Sequence, residues 1–288
     1  MSKQFDNTQI RVVYLAGSGH SGSTLLDMIL SAHSKIFGIG ELYTLTMNRD
    51  FIPVCTCGDS FNECPFWSSV PPIIKGYDLD IGRKFFNLLL NKPIYYKKDD
   101  KFSEVIDKND YVAKRFAIYS KLLDSADASY VFDSSKDINQ AEPLLDDPRV
   151  NVLLVHLVRD GRGVVWSYMK KNRTFLTALR HWLFTNLKIE IVKLRNRNSF
   201  VTIRYEDLVR DPEDTIKKIL TRLGLSFESK MLRFNECSQH QLSGNRMRFS
   251  GSSEIAEDLS WRNDMPINFK ILFFFLGGWM NFYYRVFD

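Results

Sequence analysis

The sequence predicts an α/β fold with a central parallel sheet flanked by helices in three layers. Two observations predict it. Apolar runs of strand length are continuous rather than alternating, as strands buried on both faces of a parallel sheet require. Helix-length patterns fall between those runs, so strands and helices alternate along the chain. At 288 residues, 44% hydrophobic and 25% charged, the chain can bury a full core as one domain, 1–288. Such a sheet offers ligands the crevice at the carboxyl ends of its strands.

The elements follow in order. IRVVYLA (10–16) is the first strand and TLLDMILSAH (24–33) the first helix, with IFGIG (36–40) as a short strand behind it. YVAKRFAIYSKLLDSA (111–126) is a helix leading into the strand YVFD (130–133). NVLLVHLV (151–158) precedes the helices GRGVVWSYMKK and TFLTALRHWLFTNLKIEIVKLR. SFVTIRY (199–205) is the next strand, before DPEDTIKKILTRLGL, where Asp211 reads as N-cap and Pro212 as first helical position. The stretch from about 43 to 105 breaks the rhythm and reads as an insertion or lid over an active site. ILFFFLGGWMNFYYRVF gives an apolar C-terminal helix at about 265–287. It is shorter than the roughly 20 residues of a spanning helix, is flanked by Lys270 and Arg285, and is interrupted by Gly277-Gly278. Packing on the core is the first expectation for it, and a weak membrane-surface contact the alternative.

Composition narrows the partners. A net charge of +5 suits an anionic ligand, while no basic run or aromatic-basic repeat suggests nucleic acid. The first residues, MSKQFDNTQI, lack an apolar signal core, which predicts a cytoplasmic protein. Oligomeric state leaves no mark in the sequence. Three of the four cysteines cluster in CTCGDSFNEC (Cys55, Cys57, Cys64), and Cys237 stands far away. A zinc knuckle would need a fourth ligand, which Cys237 or His240 could supply only through folding; a loop disulfide or plain thiols are the other readings. No metal site is assigned.

The stretch LAGSGHSGSTLLDM (15–28) carries the chemistry. Gly17, Gly22 and Thr24 stand where the Walker A pattern G-x-x-x-x-G-K-[ST] wants them, which makes the fold P-loop-like, but Ser23 replaces the Lys. A Gly/Ser-rich turn from strand to helix presents backbone N–H groups to an anion, with the helix dipole behind them. Gly17, Gly19 and Gly22 allow the close approach. Loss of the Lys weakens γ-phosphate chemistry more than simple anion binding. In VRDGRGVVWSYMKK, Arg159 and Asp160 end a strand and Ser167 lies two helical turns on. Arg159 with that hydroxyl can clamp a second phosphate; alternatively, Asp160 caps the helix and Arg159 sits in a salt bridge.

A lysine-less phosphate loop followed by R-D-x-R-x-x-x-x-S resembles the PAPS-dependent sulfotransferases, which use 3′-phosphoadenosine 5′-phosphosulfate (PAPS) as sulfuryl donor. The likeness extends along most of the chain. TLLDMILSAHSKIFGIGEL is similar to the corresponding run of Golgi carbohydrate and tyrosylprotein enzymes, IRYEDLVRDPEDTIKKILTRLGL to the family's later strand-turn-helix, and QLSGNRMRF to its late nucleotide-covering loop. The resemblance implies a set of roles. Gly19, His20, Ser21, Gly22, Ser23 and Thr24 would hold the 5′-phosphosulfate through backbone amides and the Ser23 and Thr24 hydroxyls. Arg159 and Ser167 would bind the 3′-phosphate, and Asn245 or Arg248 would close over the nucleotide. Lys136, in DSSKD, would neutralise charge on the departing phosphate oxygen. Glu41, at the position of the family's base, would take the acceptor's proton, with His20 and then His156 as other candidates and a helix-capping Glu41 as the plainer reading. No metal is required. His20 stands where the family commonly has Lys or Arg, so activity is expected to depend on pH near 6–7, with the imidazole leaning neutral.

The acceptor expected from the resemblance is a hydroxyl, or an amine, of a carbohydrate, glycolipid or small metabolite. CPFW (64–67) and Tyr43 are candidates for lining its pocket, though aromatic residues there could equally be core. Two other functions compete. In a P-loop kinase or triphosphatase, Asp133 at the end of YVFD would mimic a Walker B carboxylate for magnesium. A non-catalytic nucleotide-binding relative would keep the fold and lose the chemistry.

Overall fold

The computed structural model describes residues 9–42, 53–70, 97–98, 101–102 and 108–285. Most of the expected 43–105 insertion, including Tyr43, therefore lies outside the described residues, as does the end of the apolar terminal run.

Five strands form one all-parallel sheet: β1 (Ile10–Gly17), β2 (Ile36–Gly40), β3 (Tyr130–Lys136), β4 (Val150–Val158) and β5 (Phe200–Arg204), in the order β2-β3-β1-β4-β5. β1 is central. It pairs with β3 from Val12↔Val131 and with β4 from Ile10↔Val150 to Gly17↔Leu157. The chain leaves β1 towards β2 and β3 on one side and later crosses to β4 and β5 on the other. A crevice opens where those directions diverge, at the carboxyl end of β1.

The continuous apolar strands have the expected cause. On β1, Val12, Tyr14 and Ala16 point into one buried cluster and Val13 and Leu15 into another. The first cluster includes Ile118, Tyr119 and Leu122 of α3 (Lys108–Ala126) and Ile189 and Val192 of α6 (Phe175–Arg195). The second includes Leu26 and Ile29 of α1 (Ser23–Ser31) and Ile216, Ile219 and Leu220 of α8 (Pro212–Leu223). Helices thus cover both faces, giving three layers. Between these lie α2 (Pro65–Ser69), α4 (Ile138–Ala141), α5 (Gly161–Met169) and α7 (Tyr205–Arg210). Asp211 caps α8 by accepting from the Asp214 N–H, with Pro212 at the first position.

A third cluster joins α5 and α6 to α9 (Ser260–Asp264) and α10 (Ile267–Tyr284). The terminal helix packs only one side: Phe273, Gly277, Gly278, Met280, Asn281 and Tyr284 are buried. Its other side is apolar and exposed, with Phe275 at 73% and Phe282 at 75%. The expectation of a core-packed helix holds for one of its sides. Among the described residues no helix is long and apolar enough to cross a membrane.

Candidate active site

The loop after β1 is shaped by residues that tolerate its backbone. Gly22 is the N-cap of α1 with φ 86°, and no side chain caps that helix. The first-turn N–H groups of α1 are thereby left for a ligand. A Cβ on Gly22 would lie 2.4 Å from Cδ2 of Tyr205, and one on Gly19 would lie 2.5 Å from the Tyr168 hydroxyl. Two tyrosines therefore press on the loop, and glycine is required at both contacts. Ser21 is 1% exposed and its Oγ has no hydrogen-bond partner among the described residues. A buried hydroxyl left unpaired costs about 1–3 kcal/mol, which an anion in the loop would relieve.

His20 adopts a left-handed backbone with φ 66°, and its ring meets Tyr168 edge-on at 4.7 Å. Burial, reinforced by Lys171, Lys136, Arg159 and Arg173, lowers its pKa to about 4. The imidazole is neutral at physiological pH. The titration near 6–7 expected from the sequence is thus moved well below that range, because the ring is buried and cations line the same space.

Arg159, at the end of β4, is 5% exposed. Its Nη1 donates to the His20 carbonyl at 2.8 Å, and its Nη2 to the Asp258 carbonyl at 2.7 Å and carboxylate at 3.2 Å. The guanidinium stacks over Tyr205 at 4.3 Å. Asp160 caps α5 by accepting from the Arg162 N–H at 2.8 Å, and it also accepts from Asn281 at 2.8 Å. The cap and salt-bridge reading of this motif is the one seen: Asp160 is the cap and Arg159 is paired with Asp258, while also lining the crevice. Ser167 lines the same cavity.

Glu41 follows β2 and Lys136 ends β3, which is β2's neighbour. Their side chains form an ion pair, Nζ to Oε1, at 17% and 12% side-chain exposure. Lys136 has φ 71°, a left-handed turn at the strand end, and Gly40 has φ 73°. These two backbone reversals end adjacent strands beside the phosphate loop. The Glu41 N–H donates to the Leu242 carbonyl at 2.8 Å, so the residue is fixed by the late loop as well as by β2.

One cavity of about 1840 Å³ contains Gly19, His20, Gly22, Ser23, Thr24, Glu41, Lys136, Arg159, Ser167 and Asn245. Its volume exceeds the roughly 300–1,000 Å³ of a single small-molecule site, leaving room for two ligands. Lys171, Arg173, Arg180 and Lys188 add a basic wall that sequence reasoning missed. The KKNR run (170–173) after the Ser167 helix was its only local signal. Asp27 was also missed: on α1, it accepts from Ser134 at 2.6 Å, Ser31 at 3.0 Å and Gln241 at 3.2 Å. Burial pushes its pKa up to about 7.

Other expected residues are placed elsewhere. The Asn245 N–H donates to the Thr24 hydroxyl at 3.1 Å, whereas half-buried Arg248 donates to the Ser243 carbonyl and, at 2.9 Å, to the Val54 carbonyl, outside the cavity lining. Trp67 of CPFW is fully buried against Phe37, Phe61 and Phe66, and none of the four residues lines the cavity. His156 is buried inside β4, 3.0 Å from Asn186 Oδ1 and 3.4 Å from Glu190, and is a packed residue. Asp133 accepts from Arg115 at 3.1 Å, Tyr119 at 2.7 Å, and the Ser135 N–H and hydroxyl at 2.9 and 2.5 Å. Both of its oxygens are engaged in the core, which disfavours a magnesium role. Of the cysteine partners, His240 rather than Cys237 meets Cys55, Cys57 and Cys64, beside the cavity rather than in its lining.

Residues 151–229 match the family model described as "Sulfotransferase family". Carbohydrate sulfotransferase 1 of Danio rerio is 29% identical over 114 residues, covering 32% of this chain and 27% of that protein. Carbohydrate sulfotransferase 5 of Mus musculus is 28% identical over 155 residues, covering 43% and 39%. The matched region thus spans well under half the length of these relatives. The solved "Sulfotransferase Domain from the Curacin Biosynthetic Pathway" superposes with a TM-score of 0.55 over 93% of this chain and 97% of that one, at 17% identity. The shared feature there is the fold.

Proposed function

We propose that this chain, which matches the sulfotransferase family over residues 151–229, moves a sulfuryl group from PAPS to a hydroxyl or amine of an acceptor. The Glu41–Lys136 ion pair beside a lysine-less phosphate loop carries this reading. The residues present suit the donor: the loop has an uncapped helix N-terminus, the buried Ser21 hydroxyl lacks a partner, and glycines at 19 and 22 admit close approach. When bound, PAPS supplies an activated sulfuryl group on a phosphate that leaves as part of adenosine 3′,5′-bisphosphate (PAP).

The chain's own residues do the rest. The amides of Ser21, Gly22 and Ser23, with the Ser23 and Thr24 hydroxyls, hold the 5′ end; Arg159 and Ser167 hold the 3′-phosphate. Asn245, tied to Thr24, covers the loop. Glu41 takes the acceptor's proton, and as its negative charge is neutralised Lys136 turns to the departing phosphate oxygen. Neutral His20 contributes a hydrogen bond, and its fixed position holds Arg159 through the carbonyl. The whole span 1–288 acts as one domain, and no metal enters the transfer.

An acceptor of the carbohydrate, glycolipid or small-metabolite class suits the space left beside the nucleotide, against Arg180, His181 and Phe184 of α6. The exposed apolar side of α10 supports weak contact with a membrane surface, where a lipid-linked acceptor would be presented.

Thermal stabilisation tests the reading. PAP at about 100 times its Kd, without added magnesium, stabilises by about 2.7 kcal/mol, or roughly 5 °C. Stabilisation by ATP with magnesium and not by PAP would favour phosphoryl transfer. Binding of PAP without transfer to any member of a carbohydrate, glycolipid and phenol panel would favour a non-catalytic relative.

A further inference from the structure

Beside the cavity, two distant parts of the chain bring four metal-ligating atoms together. The sulfurs of Cys55, Cys57 and Cys64 and Nδ1 of His240 all lie within 4.8 Å of one another. Cys64 Sγ is 3.5 Å from Cys55 Sγ, 3.6 Å from Cys57 Sγ and 3.3 Å from His240 Nδ1, and Cys55 Sγ is 3.6 Å from the same nitrogen. A tetrahedron with Zn–S near 2.3 Å and Zn–N near 2.0–2.1 Å has edges of about 3.5–3.8 Å. These four separations fall on or just inside that range, and the remaining two, both from Cys57, are within 4.8 Å. A disulfide would single out one sulfur pair, whereas Cys64 stands equally close to both of the others.

The local backbone explains the convergence. The Gly58 N–H donates to the Cys55 carbonyl at 2.9 Å in a turn where Gly58 has φ 99°, so the chain reverses tightly between Cys57 and Asp59. Cys64 then returns at the N-cap of α2, with Pro65 at the first position. His240 arrives from the late loop, which is sewn to this hairpin by a Cys55–Leu242 bridge and by the Thr56 N–H to the Gln241 carbonyl at 3.0 Å. Its ring is held from behind. Phe66 stacks on it at 5.6 Å and 18°, and Trp67 Nε1 donates to its carbonyl at 2.6 Å. Outer partners that fix a ligand's orientation are what a metal site needs.

We propose that Cys55, Cys57, Cys64 and His240 form a closed, structural zinc site that pins the late loop to the 53–70 hairpin. Three thiolates and one imidazole match zinc's preference, and with four protein ligands no position is left for chemistry. The site acts at a distance. From His240 the loop runs to Gln241, which bonds Asp27, then to Leu242, whose carbonyl receives the Glu41 N–H, and on to Asn245 at Thr24. The ion thereby positions Glu41 and the cover over the phosphate loop without entering the cavity. The inference does not rest on sulfuryl transfer, because metal content is read without donor or acceptor.

The full chain, purified with reductant and without chelator, is analysed by inductively coupled plasma mass spectrometry; one zinc per chain is expected. His240→Ala and Cys57→Ser lower that ratio severalfold, and His240→Cys restores it. Cobalt in place of zinc gives the intense visible bands of a tetrahedral ion and thiolate charge transfer in the near ultraviolet, both lost in Cys57→Ser. Cys57 is exposed, so this variant keeps the core even if substitution of buried Cys64 prevents folding. A folded wild type with no zinc that also gains no tetrahedral cobalt spectrum overturns the proposal. Equal zinc in wild type and both loss variants does the same, as does a Cys55–Cys64 or Cys57–Cys64 disulfide in the reduced preparation.

Discussion

Asp27→Asn makes a sharp test of how charge is arranged behind the phosphate loop. Asp27 is 6% exposed, and burial moves its pKa from 3.8 to about 7 despite three hydrogen bonds that favour the anion. Between those values the unfolded chain has released a proton that the folded chain retains. The stability associated with this group is therefore complete below pH 3.8 and falls as pH rises towards 7. At 1.36 kcal/mol per unit, the whole loss is about 4 kcal/mol, of which about 2 kcal/mol falls between pH 5.5 and 8. The carboxamide fills the same volume and does not titrate. The difference in Tm, variant minus wild type, should thus rise by roughly 4 °C from pH 5.5 to 8, measured by scanning calorimetry. Comparing differences cancels every other titrating group. A difference that stays flat or falls over that range would refute a protonated Asp27 and the desolvation argument with it.

Other perturbations probe the cavity itself. Glu41→Gln keeps the side-chain shape beside Lys136 but cannot accept a proton; kcat should fall about 10²–10⁴-fold, while the Kd for PAP by titration calorimetry stays within about threefold. Parallel loss of both would remove Glu41 from the role of base. Gly22→Ala places a Cβ against Tyr205 at a left-handed position, so it should cost about 1–3 kcal/mol in denaturant unfolding. It should also weaken PAP binding on the order of tenfold, because Arg159 stacks on the ring that must move. His20, with its pKa lowered to about 4, should leave kcat/KM free of any imidazole limb between pH 6 and 8. A limb near pH 6.5 that vanishes in His20→Gln would show that the cations around it do not act as described.

The sheet and the phosphate loop were legible because their signals are local. β1 is a continuous apolar run since Val12 and Val13 enter opposite cores, and of the glycines that follow, Gly22 marks a left-handed turn and Gly19 a close contact. The Glu41 and Lys136 positions were readable only through the family pattern; their pairing depends on β2 and β3 being neighbours, and no spacing along the chain encodes that. The same limit left the cysteine cluster's fourth partner open between Cys237 and His240, since His240 reaches Cys64 across 176 residues. For Arg248 the motif fixes a turn, but the direction of the side chain is set by the Val54 and Ser243 carbonyls, which sequence does not encode. CPFW stayed open between pocket and core because aromatic residues look alike in sequence whether they face a pocket or one another.

The central place of β1 also bears on how the chain is made. Ile10 must wait for Val150, and Val12 for Val131. At roughly 5–20 residues per second, β4 emerges on the order of ten seconds or more after β1. During that interval the nascent chain carries a β-branched apolar strand with neither parallel neighbour available. Synthesis of this protein should therefore draw on ribosome-associated chaperones early. Synonymous slowing of translation between codons 20 and 130 should lower the soluble yield more than the same slowing after codon 210, when all five strands have been synthesised.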